Sequence, residues 1–149
     1  MSDAPATFAR PIPRPDAISQ GFWDATARGE LAIQRCPDCG NYQHPPRPIC
    51  HACGCAAPVY ARVSGEARLV SWTTTYHNVL PGFAAALPYA CMVVELVEQK
   101  ELFMLSDLIG RAEIASGLRF GMKMRVVFPA GDGEGPVLPQ FAPAEEQQA

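Results

Sequence analysis

Residues 36–54 read CPDCGNYQHPPRPICHACG and contain two Cys-x-x-Cys pairs, each followed by a glycine. In such a pair the backbone amides turn toward the sulfur atoms, and the glycine permits the positive φ that this turn requires. Two facing pairs can place four sulfurs at the corners of a tetrahedron, about 2.3 Å from a metal ion. The stretch therefore predicts a zinc ribbon whose ligands are Cys36, Cys39, Cys50 and Cys53.

The spacing of these cysteines favours a structural metal over the alternatives. Two disulfides would suit a secreted chain, but residues 1–16 contain four prolines and no apolar core, so they do not read as a signal peptide. Four protein ligands leave zinc no vacant position for a substrate, which is typical of a structural site. A rubredoxin-type iron centre uses the same four thiolates and remains an alternative to zinc. Cys55 lies two residues beyond the second pair and is interpreted as a spare thiol.

Composition and charge limit the classes of function. The chain has 149 residues, 48% of them hydrophobic, which is enough for a small metal module and one compact domain. No apolar run approaches the roughly 20 residues that cross a bilayer, so a cytoplasmic protein without a membrane partner is expected. The net charge is −3, and zinc with four thiolates would lower it to about −5. The twelve basic residues are dispersed, which disfavours bulk nucleic-acid binding.

Local signals divide the chain into five segments. Four prolines within the first fifteen residues exclude a helix there and favour extended chain. Asp16 can cap a helix that Gly29 terminates. The last residues are acidic and rich in amides, a composition typical of disorder. The expected segments are an extended arm (1–15), an N-terminal helix (16–29), the zinc ribbon (30–57), a β-barrel domain (58–142) and a disordered tail (143–149).

The pattern beyond the ribbon predicts a mainly β fold. Residues 66–76 alternate and are rich in β-branched and aromatic side chains, and this alternation places Arg68, Trp72 and Tyr76 on one strand face. Five strands with a short helix, Arg111–Ser116, between the third and the fourth fit an OB barrel, and a small β-sandwich is the structural alternative. The expected strands are Glu66–Tyr76, Tyr89–Val97, Leu102–Ser106, Met122–Phe128 and Val137–Phe141, preceded by strands at Glu30–Arg35 and Val59–Val63.

The ordered combination of these features resembles a known family. Its members are acyl-CoA-associated proteins that join a rubredoxin-like zinc ribbon to an OB fold, long catalogued only as a domain of unknown function. The resemblance covers about residues 16–143. It rests on Phe22-Trp23, Gly29-Glu30-Leu31, Gln34-Arg35-Cys36, Cys39-Gly40, Pro45-Pro46-Arg47, Cys50-x-x-Cys53-Gly54, Ser64-Gly65, the Thr-rich strand to His77, Pro88-Tyr89, Gly121-Met122 and Leu138-Pro139-x-Phe141.

The resemblance implies a function in a complex. Members of that family are usually small non-catalytic partners of thiolase-fold enzymes, namely thiolases, acyltransferases and retro-aldolases. An acyl-CoA would then be the substrate of the complex, and the catalytic Cys and His would reside on the large subunit. The small subunit would complete the hetero-oligomer, shape access to the acyl-CoA site, or both.

Two groups of residues are candidates for contact with a partner or a ligand. Aromatic and Arg side chains are favoured at interfaces, and the proline-rich segment between the cysteine pairs is stiff. The expected partner-contact residues are Phe22, Trp23, Tyr42 and Arg47, although the two helix aromatics can equally join the ribbon to the barrel. Tyr76 and His77 end a strand and are the candidates for facing a ligand.

Two further interpretations compete with an accessory subunit. An OB-fold binder of single-stranded nucleic acid stacks bases on aromatics inside a basic groove, and Trp72 and Tyr76 beside Arg68 are a weak version of that pattern. Catalysis by this chain would need a thiol outside the metal site, such as Cys91, with a histidine as its base. Cys91 lies in an apolar strand, where a thiol is typically a small core residue, so no catalytic residue is assigned.

Overall fold

The computed structural model describes residues 11–77, 82–83, 86–108, 116–130 and 135–144. Within these ranges the chain forms one α-helix, a three-stranded sheet and a five-stranded sheet, so it is mainly β as expected. The elements in chain order are α1 (Gln20–Ala27), β1 (Ala32–Arg35), β2 (Tyr42–Gln43), β3 (Val59–Arg62), β4 (Glu66–Thr75), β5 (Tyr89–Leu96), β6 (Phe103–Asp107), β7 (Lys123–Val127) and β8 (Gln140–Pro143).

The helix α1 begins at Gln20, later than the predicted start at Asp16. The Asp16 carboxylate accepts hydrogen bonds from the Ser19 amide (2.7 Å) and the Ser19 hydroxyl (2.6 Å), so it closes a turn ahead of the helix instead of capping the helix itself. The helix ends where expected, because Gly29 has a φ of 71° and its amide donates to the carbonyl of Thr26 at 3.0 Å. Its buried residues are Phe22, Ala25 and Thr26.

The ribbon is built on a small antiparallel sheet with the order β2-β1-β3. Strand β1 is central and shorter than the predicted Glu30–Arg35, since it begins at Ala32. Strand β3 pairs with β1 along its whole length, from Val59 opposite Arg35 to Arg62 opposite Ala32. The sequence prediction had placed this strand at the start of the barrel domain, and its pairing puts it in the ribbon sheet.

The five-stranded sheet has the order β6-β5-β4-β7-β8, with antiparallel pairing throughout. Its two outer strands meet at one end, where Leu108 and Phe141 form a parallel bridge and the Ser106 hydroxyl donates to the Pro139 carbonyl at 2.8 Å. The sheet therefore curls into the partly open five-stranded barrel that the strand pattern predicted. The last strand lies slightly later than expected, because β8 covers Gln140–Pro143.

A β-bulge corrects one detail of the predicted strand faces. The register of β4 against β5 shifts between Leu69 and Ser71, so Arg68 lies opposite Glu95 whereas Trp72 lies opposite Met92. Directly opposed residues share a face, and positions 92 and 95 point to opposite faces of β5. Arg68 and Trp72 therefore do not share a face. Simple alternation could not show this, because one extra residue in a strand inverts every side chain beyond it.

One apolar core joins the ribbon to the barrel. Phe141, Leu69 and Val94 of the barrel are fully buried, and they belong to the same cluster as Phe22 of α1 and Ile33 of β1. The helix and the ribbon thus pack against the barrel as part of its core. The described ranges contain no helix whose length and hydrophobicity would let it cross a bilayer.

Several expected segments lie outside the described residues. They are most of the N-terminal arm (1–10), parts of the loop between β4 and β5 (78–81 and 84–85), nearly all of the short helix expected at Arg111–Ser116 (111–115), part of the connection between β7 and β8 (131–134) and the end of the tail (145–149).

Candidate metal centre and contact residues

Four cysteine sulfurs converge at the head of the ribbon. The Sγ atoms of Cys36, Cys39, Cys50 and Cys53 all lie within 4.8 Å of one another. The Sγ–Sγ distances are 3.5 Å between Cys36 and Cys53 and 3.7 Å between Cys39 and Cys50. A tetrahedron with Zn–S bonds of about 2.3 Å requires Sγ–Sγ distances of about 3.8 Å, whereas a disulfide requires about 2.05 Å. The geometry fits a metal held by four sulfurs and does not fit two disulfides.

Two knuckles of the same geometry hold these sulfurs. The Cys36 amide donates to the Asn41 carbonyl (2.9 Å), and the Cys50 amide donates to the Cys55 carbonyl (2.8 Å). Gly40 and Gly54 have φ values of 75° and 81°, which a side chain would resist, and each donates its amide to the carbonyl of the first cysteine of its pair. Cys55 thus holds the second knuckle through its backbone, while the four predicted cysteines supply the converging sulfurs.

The electrostatics of the cluster call for a cation. The Cys39 backbone amide, followed by that of Asp38, lowers the pKa of the Cys36 thiol to about 6. The Cys55 amide lowers the pKa of Cys53 as well, but the neighbouring Cys36 and Cys39 sulfurs outweigh it and raise that pKa to about 12. Backbone amides can therefore stabilise the first thiolate but not the last. A divalent ion such as Zn²⁺ supplies the positive charge that lets all four deprotonate.

A buried pair of glutamines orders the loop between the two cysteine pairs. The Gln43 side-chain amide donates to Gln34 Oε1 at 2.9 Å, and the same oxygen accepts the Arg47 amide at 2.7 Å. Gln43 Oε1 accepts the His51 amide at 3.2 Å. Two buried side chains thus satisfy backbone groups of the irregular loop. The sequence prediction missed both residues, although Gln34 stands inside an apolar strand, where a polar residue signals such a role.

A third glutamine fixes the ribbon against the barrel. Gln99, in the turn between β5 and β6, accepts the Tyr42 amide at 2.8 Å and donates to the Tyr42 carbonyl at 3.0 Å. This double hydrogen bond mimics the pairing of an additional strand beside β2. A cavity of about 450 Å³ lies alongside. It is lined by residues of the loop between the two cysteine pairs, here called the ribbon loop, and by residues of the β5–β6 turn.

The predicted contact residues differ in what they offer a partner. Phe22 is 6% exposed and belongs to the core, so it has no free surface, and Trp23 packs edge-on against it with ring centroids 4.9 Å apart. Tyr42 is half-buried, with the Arg35 guanidinium 5.6 Å from its ring centroid. Arg47 is exposed. Of the four, Phe22 therefore serves to join the helix, the ribbon and the barrel, and Arg47 is the one that is open to a partner.

The remaining candidates for chemistry do not come together. Tyr76, 77% exposed, and His77 follow the end of β4 on the surface. Cys91, on β5, donates a hydrogen bond to the Asp107 carboxylate on β6 at 3.2 Å. Burial, and then the hydrogen bond and charge of Asp107, raise the pKa of Cys91 to about 11. The thiol is thus kept protonated near neutral pH, which is the opposite of nucleophile activation.

The pKa of His44 provides a test of the packing around the ribbon loop. Its ring lies 5.6 Å from that of Phe22, and burial lowers its pKa below the ordinary 6.5. As the pH falls, His44 in the unfolded chain therefore takes up a proton before His44 in the folded chain does. His44 favours the fold above pH 6.5, and this contribution to stability is lost as the pH falls below that value. We expect the melting temperature of the wild type to fall more between pH 7.5 and pH 5.5 than that of His44→Phe.

Comparing the wild type with His44→Phe separates the effect of His44 on the melting temperature from that of the metal site. Acid also protonates the zinc ligands, but both proteins carry the same cysteines, so the difference between their melting curves reports on His44 alone. Identical pH profiles would mean that the histidine is solvated in the folded chain.

Comparisons with known proteins give the context of this architecture. Residues 23–58 match the family model described as ChsH2, rubredoxin-like zinc ribbon domain, and residues 60–129 match ChsH2, C-terminal OB-fold domain. The "Probable enoyl-CoA hydratase alpha subunit" of Thermomonospora curvata is 33% identical over 139 residues, or 91% of this chain. The chain spans 41% of the length of that relative.

Two solved structures share the fold. A chain of the "Ltp2-ChsH2(DUF35) aldolase" is 28% identical with a TM-score of 0.75, and the match covers 88% of this chain and 98% of that chain. A DUF35 protein of unknown function from Sulfolobus solfataricus is 20% identical with a TM-score of 0.55, over 74% of this chain and 77% of that chain. The two ChsH2 models together span the zinc ribbon and most of the barrel, in the order that the structure shows. The chain therefore belongs to the ChsH2 family, in which a rubredoxin-like zinc ribbon precedes an OB fold.

Proposed function

We propose that this chain is a non-catalytic subunit of a thiolase-like enzyme that acts on an acyl-CoA, and that it helps to assemble the complex and to shape access to the acyl-CoA. The observation that carries the proposal is the match to the ChsH2 chain of an aldolase complex, which extends over 98% of that chain. The relative from Thermomonospora curvata is likewise described as one subunit of an acyl-CoA enzyme. The match extends over both the ribbon and the barrel, so it supports the proposal for the whole fold and not for one domain.

The chemistry of the described residues supports a partner that carries the catalysis. The four cysteines of the ribbon converge as one set of metal ligands, and the Cys91 thiol is held protonated by its burial and by Asp107. His44 is half-buried against an aromatic ring, so it is not placed as a base beside an activated nucleophile. We therefore place the reactive groups on the large subunit, and assign the zinc a structural role.

The tip of the ribbon loop is the surface that we propose for partner contact. Arg47 is exposed there, and the neighbouring Ile49 is 51% exposed. The loop is nonetheless fixed, because the Gln34 and Gln43 side chains hydrogen-bond to the backbone of residues 47, 49 and 51. A rigid, exposed Arg beside an apolar side chain loses little conformational entropy on binding and is a frequent interface hot spot. Trp23 and Tyr42, both half-buried, are the further candidates for contact with the partner.

Substitution of the loop tip should weaken the complex without unfolding the subunit. We expect Arg47→Ala to reduce affinity for the large subunit by about tenfold or more, since hot-spot arginines contribute more than about 1.4 kcal/mol. Acyl-CoA cleavage should fall at low subunit concentration and recover at high concentration. The measurement is co-purification of the tagged chain with the large subunit from its own organism, together with a titration of activity.

A matched control separates contact from general charge effects. Arg119→Ala removes the same charge from an exposed site on the barrel and should leave the affinity unchanged. Equal loss in both variants, or full affinity in Arg47→Ala, would remove the loop tip from the interface. Failure of any thiolase-like protein to co-purify with the wild type would contradict the proposed function itself.

Single-stranded nucleic-acid binding is the alternative, and the structure weakens its motif. The bulge in β4 puts Trp72 and Arg68 on opposite faces, so the expected stacking surface inside a basic groove is not formed by these residues. Salt-sensitive micromolar binding of single-stranded DNA by the purified chain, without a co-purifying enzyme, would restore this alternative.

A further inference from the structure

Two cations lie directly opposite each other on the outer face of the barrel. In the backbone register of β4 against β7, Arg68 lies opposite Lys123. Two residues along, on the same face, Glu66 lies opposite Arg125. All four side chains are exposed, while the residues between them, Ala67 and Met124, are buried. Like charges directly opposed on antiparallel strands destabilise a sheet. An unfavourable pair at a regular sheet position is a feature that folding alone does not explain.

The carboxylates nearest in the sheet do not neutralise these cations. Glu95 lies opposite Arg68 on the other side of β4, but its carboxylate accepts the Glu101 amide at 2.6 Å. Among the residues that the structure describes, ion pairs form between Glu30 and two arginines elsewhere in the chain, and none involves Arg68, Lys123 or Arg125. The three cations outnumber the two carboxylates, Glu66 and Glu95, that share their face. A local positive field remains on a chain whose net charge is −3.

A groove runs over this patch. It has a volume of about 930 Å³ and is lined by the three cations and Glu66, with apolar walls from Val97, Val127 and Ala142. This volume lies within the range of small-molecule sites, about 300–1,000 Å³. The arrangement offers charge-assisted hydrogen bonds to a compact anion and an apolar wall for the rest of the ligand.

We infer that this groove binds a small phosphorylated molecule, with the phosphate or diphosphate group between Arg68, Lys123 and Arg125. Arg and Lys donate to phosphate oxygens without needing to change protonation state. A dianionic group between Arg68 and Lys123 replaces their repulsion by two attractive contacts. The site lies on β4, β7 and β8, away from the zinc ligands and the ribbon-loop tip, so it does not depend on the proposed partner contact.

Calorimetric titration of the full zinc-bound chain with ADP, inorganic pyrophosphate and adenosine tests this inference. At low salt we expect ADP and pyrophosphate to bind and adenosine to fail, because the phosphates supply the attraction. ADP should bind more tightly than pyrophosphate if the apolar walls contribute. Arg68→Gln and Lys123→Gln should each weaken the affinity for ADP by about tenfold, as expected for the loss of a charge-assisted hydrogen bond. Lys100→Gln removes the same charge from the β5–β6 turn and should leave binding unchanged.

The melting temperature of the unliganded variants gives a second readout. Because Lys123→Gln removes the repulsion between Arg68 and Lys123, its melting temperature should be about 1–3 °C higher than that of the wild type. No binding of either phosphate compound at about 10 mM, equal weakening by Lys100→Gln, or a lower midpoint in Lys123→Gln would each overturn the site. Tighter binding of a dT oligonucleotide than of ADP would overturn the small-molecule assignment in favour of a nucleic acid.

Discussion

Cys50→Ser should leave the chain without bound zinc and without a folded ribbon. Cys50 is buried and contributes one of the four converging sulfurs, and a serine hydroxyl is a far weaker zinc ligand than a thiolate. Structural zinc contributes about 10–16 kcal/mol of apparent binding free energy in small zinc modules, which exceeds the stability of most domains. Because the ribbon shares one core with the barrel, loss of the metal should lower the melting temperature of the whole chain.

Elemental analysis and circular dichroism measure this effect, and Cys55→Ser is the control. Cys55 supports the second knuckle through its carbonyl, which a serine retains, so this variant should keep one zinc per chain. Zinc at full occupancy in purified Cys50→Ser would contradict the ligand assignment. Iron in place of zinc would retain the assignment of ligands and change the identity of the metal.

Phe22→Ala should destabilise the fold by about 3–5 kcal/mol, before any effect on a partner is considered. The ring is 6% exposed and belongs to the core cluster that ribbon and barrel residues share, so its removal leaves a cavity in that core. Chemical denaturation of the zinc-bound chain measures the change in the free energy of unfolding.

Arg47→Ala is the matched comparison for Phe22→Ala. Its side chain is exposed, so the unfolding free energy should change by less than about 0.5 kcal/mol. A Phe22→Ala protein of wild-type stability that no longer binds the large subunit would show that the ring acts in the interface after all.

The sequence predicted the metal site because the metal imposes its own spacing. Four thiolates and two glycines must recur at fixed positions for the knuckles to close, and nothing distant in the chain can alter that requirement. The strands of the barrel were predicted nearly as well, since buried side chains recur at every second position along β5 and along the first four residues of β4.

Features that depend on distant packing could not be predicted in the same way. An aromatic residue on a short amphipathic helix suits either an interface or a core, and Phe22 lies in the core because the ribbon and the barrel share one apolar cluster. The bulge at residues 69–71 leaves no mark in the alternation, yet it separates Arg68 from Trp72. Gln99 meets Tyr42 across 57 positions of sequence, a contact that no local pattern encodes.

Activity of the reconstituted complex carrying Cys91→Ala in this chain is the measurement that tests the proposed function most directly. Cys91 is the described thiol that lies outside the ribbon, and its pKa near 11 predicts that it takes no part in the chemistry. We expect the variant to bind the large subunit and to cleave the acyl-CoA with the wild-type kcat and KM. Loss of turnover in an intact complex would mean that this chain supplies a catalytic group, and the assignment of a non-catalytic subunit would be wrong.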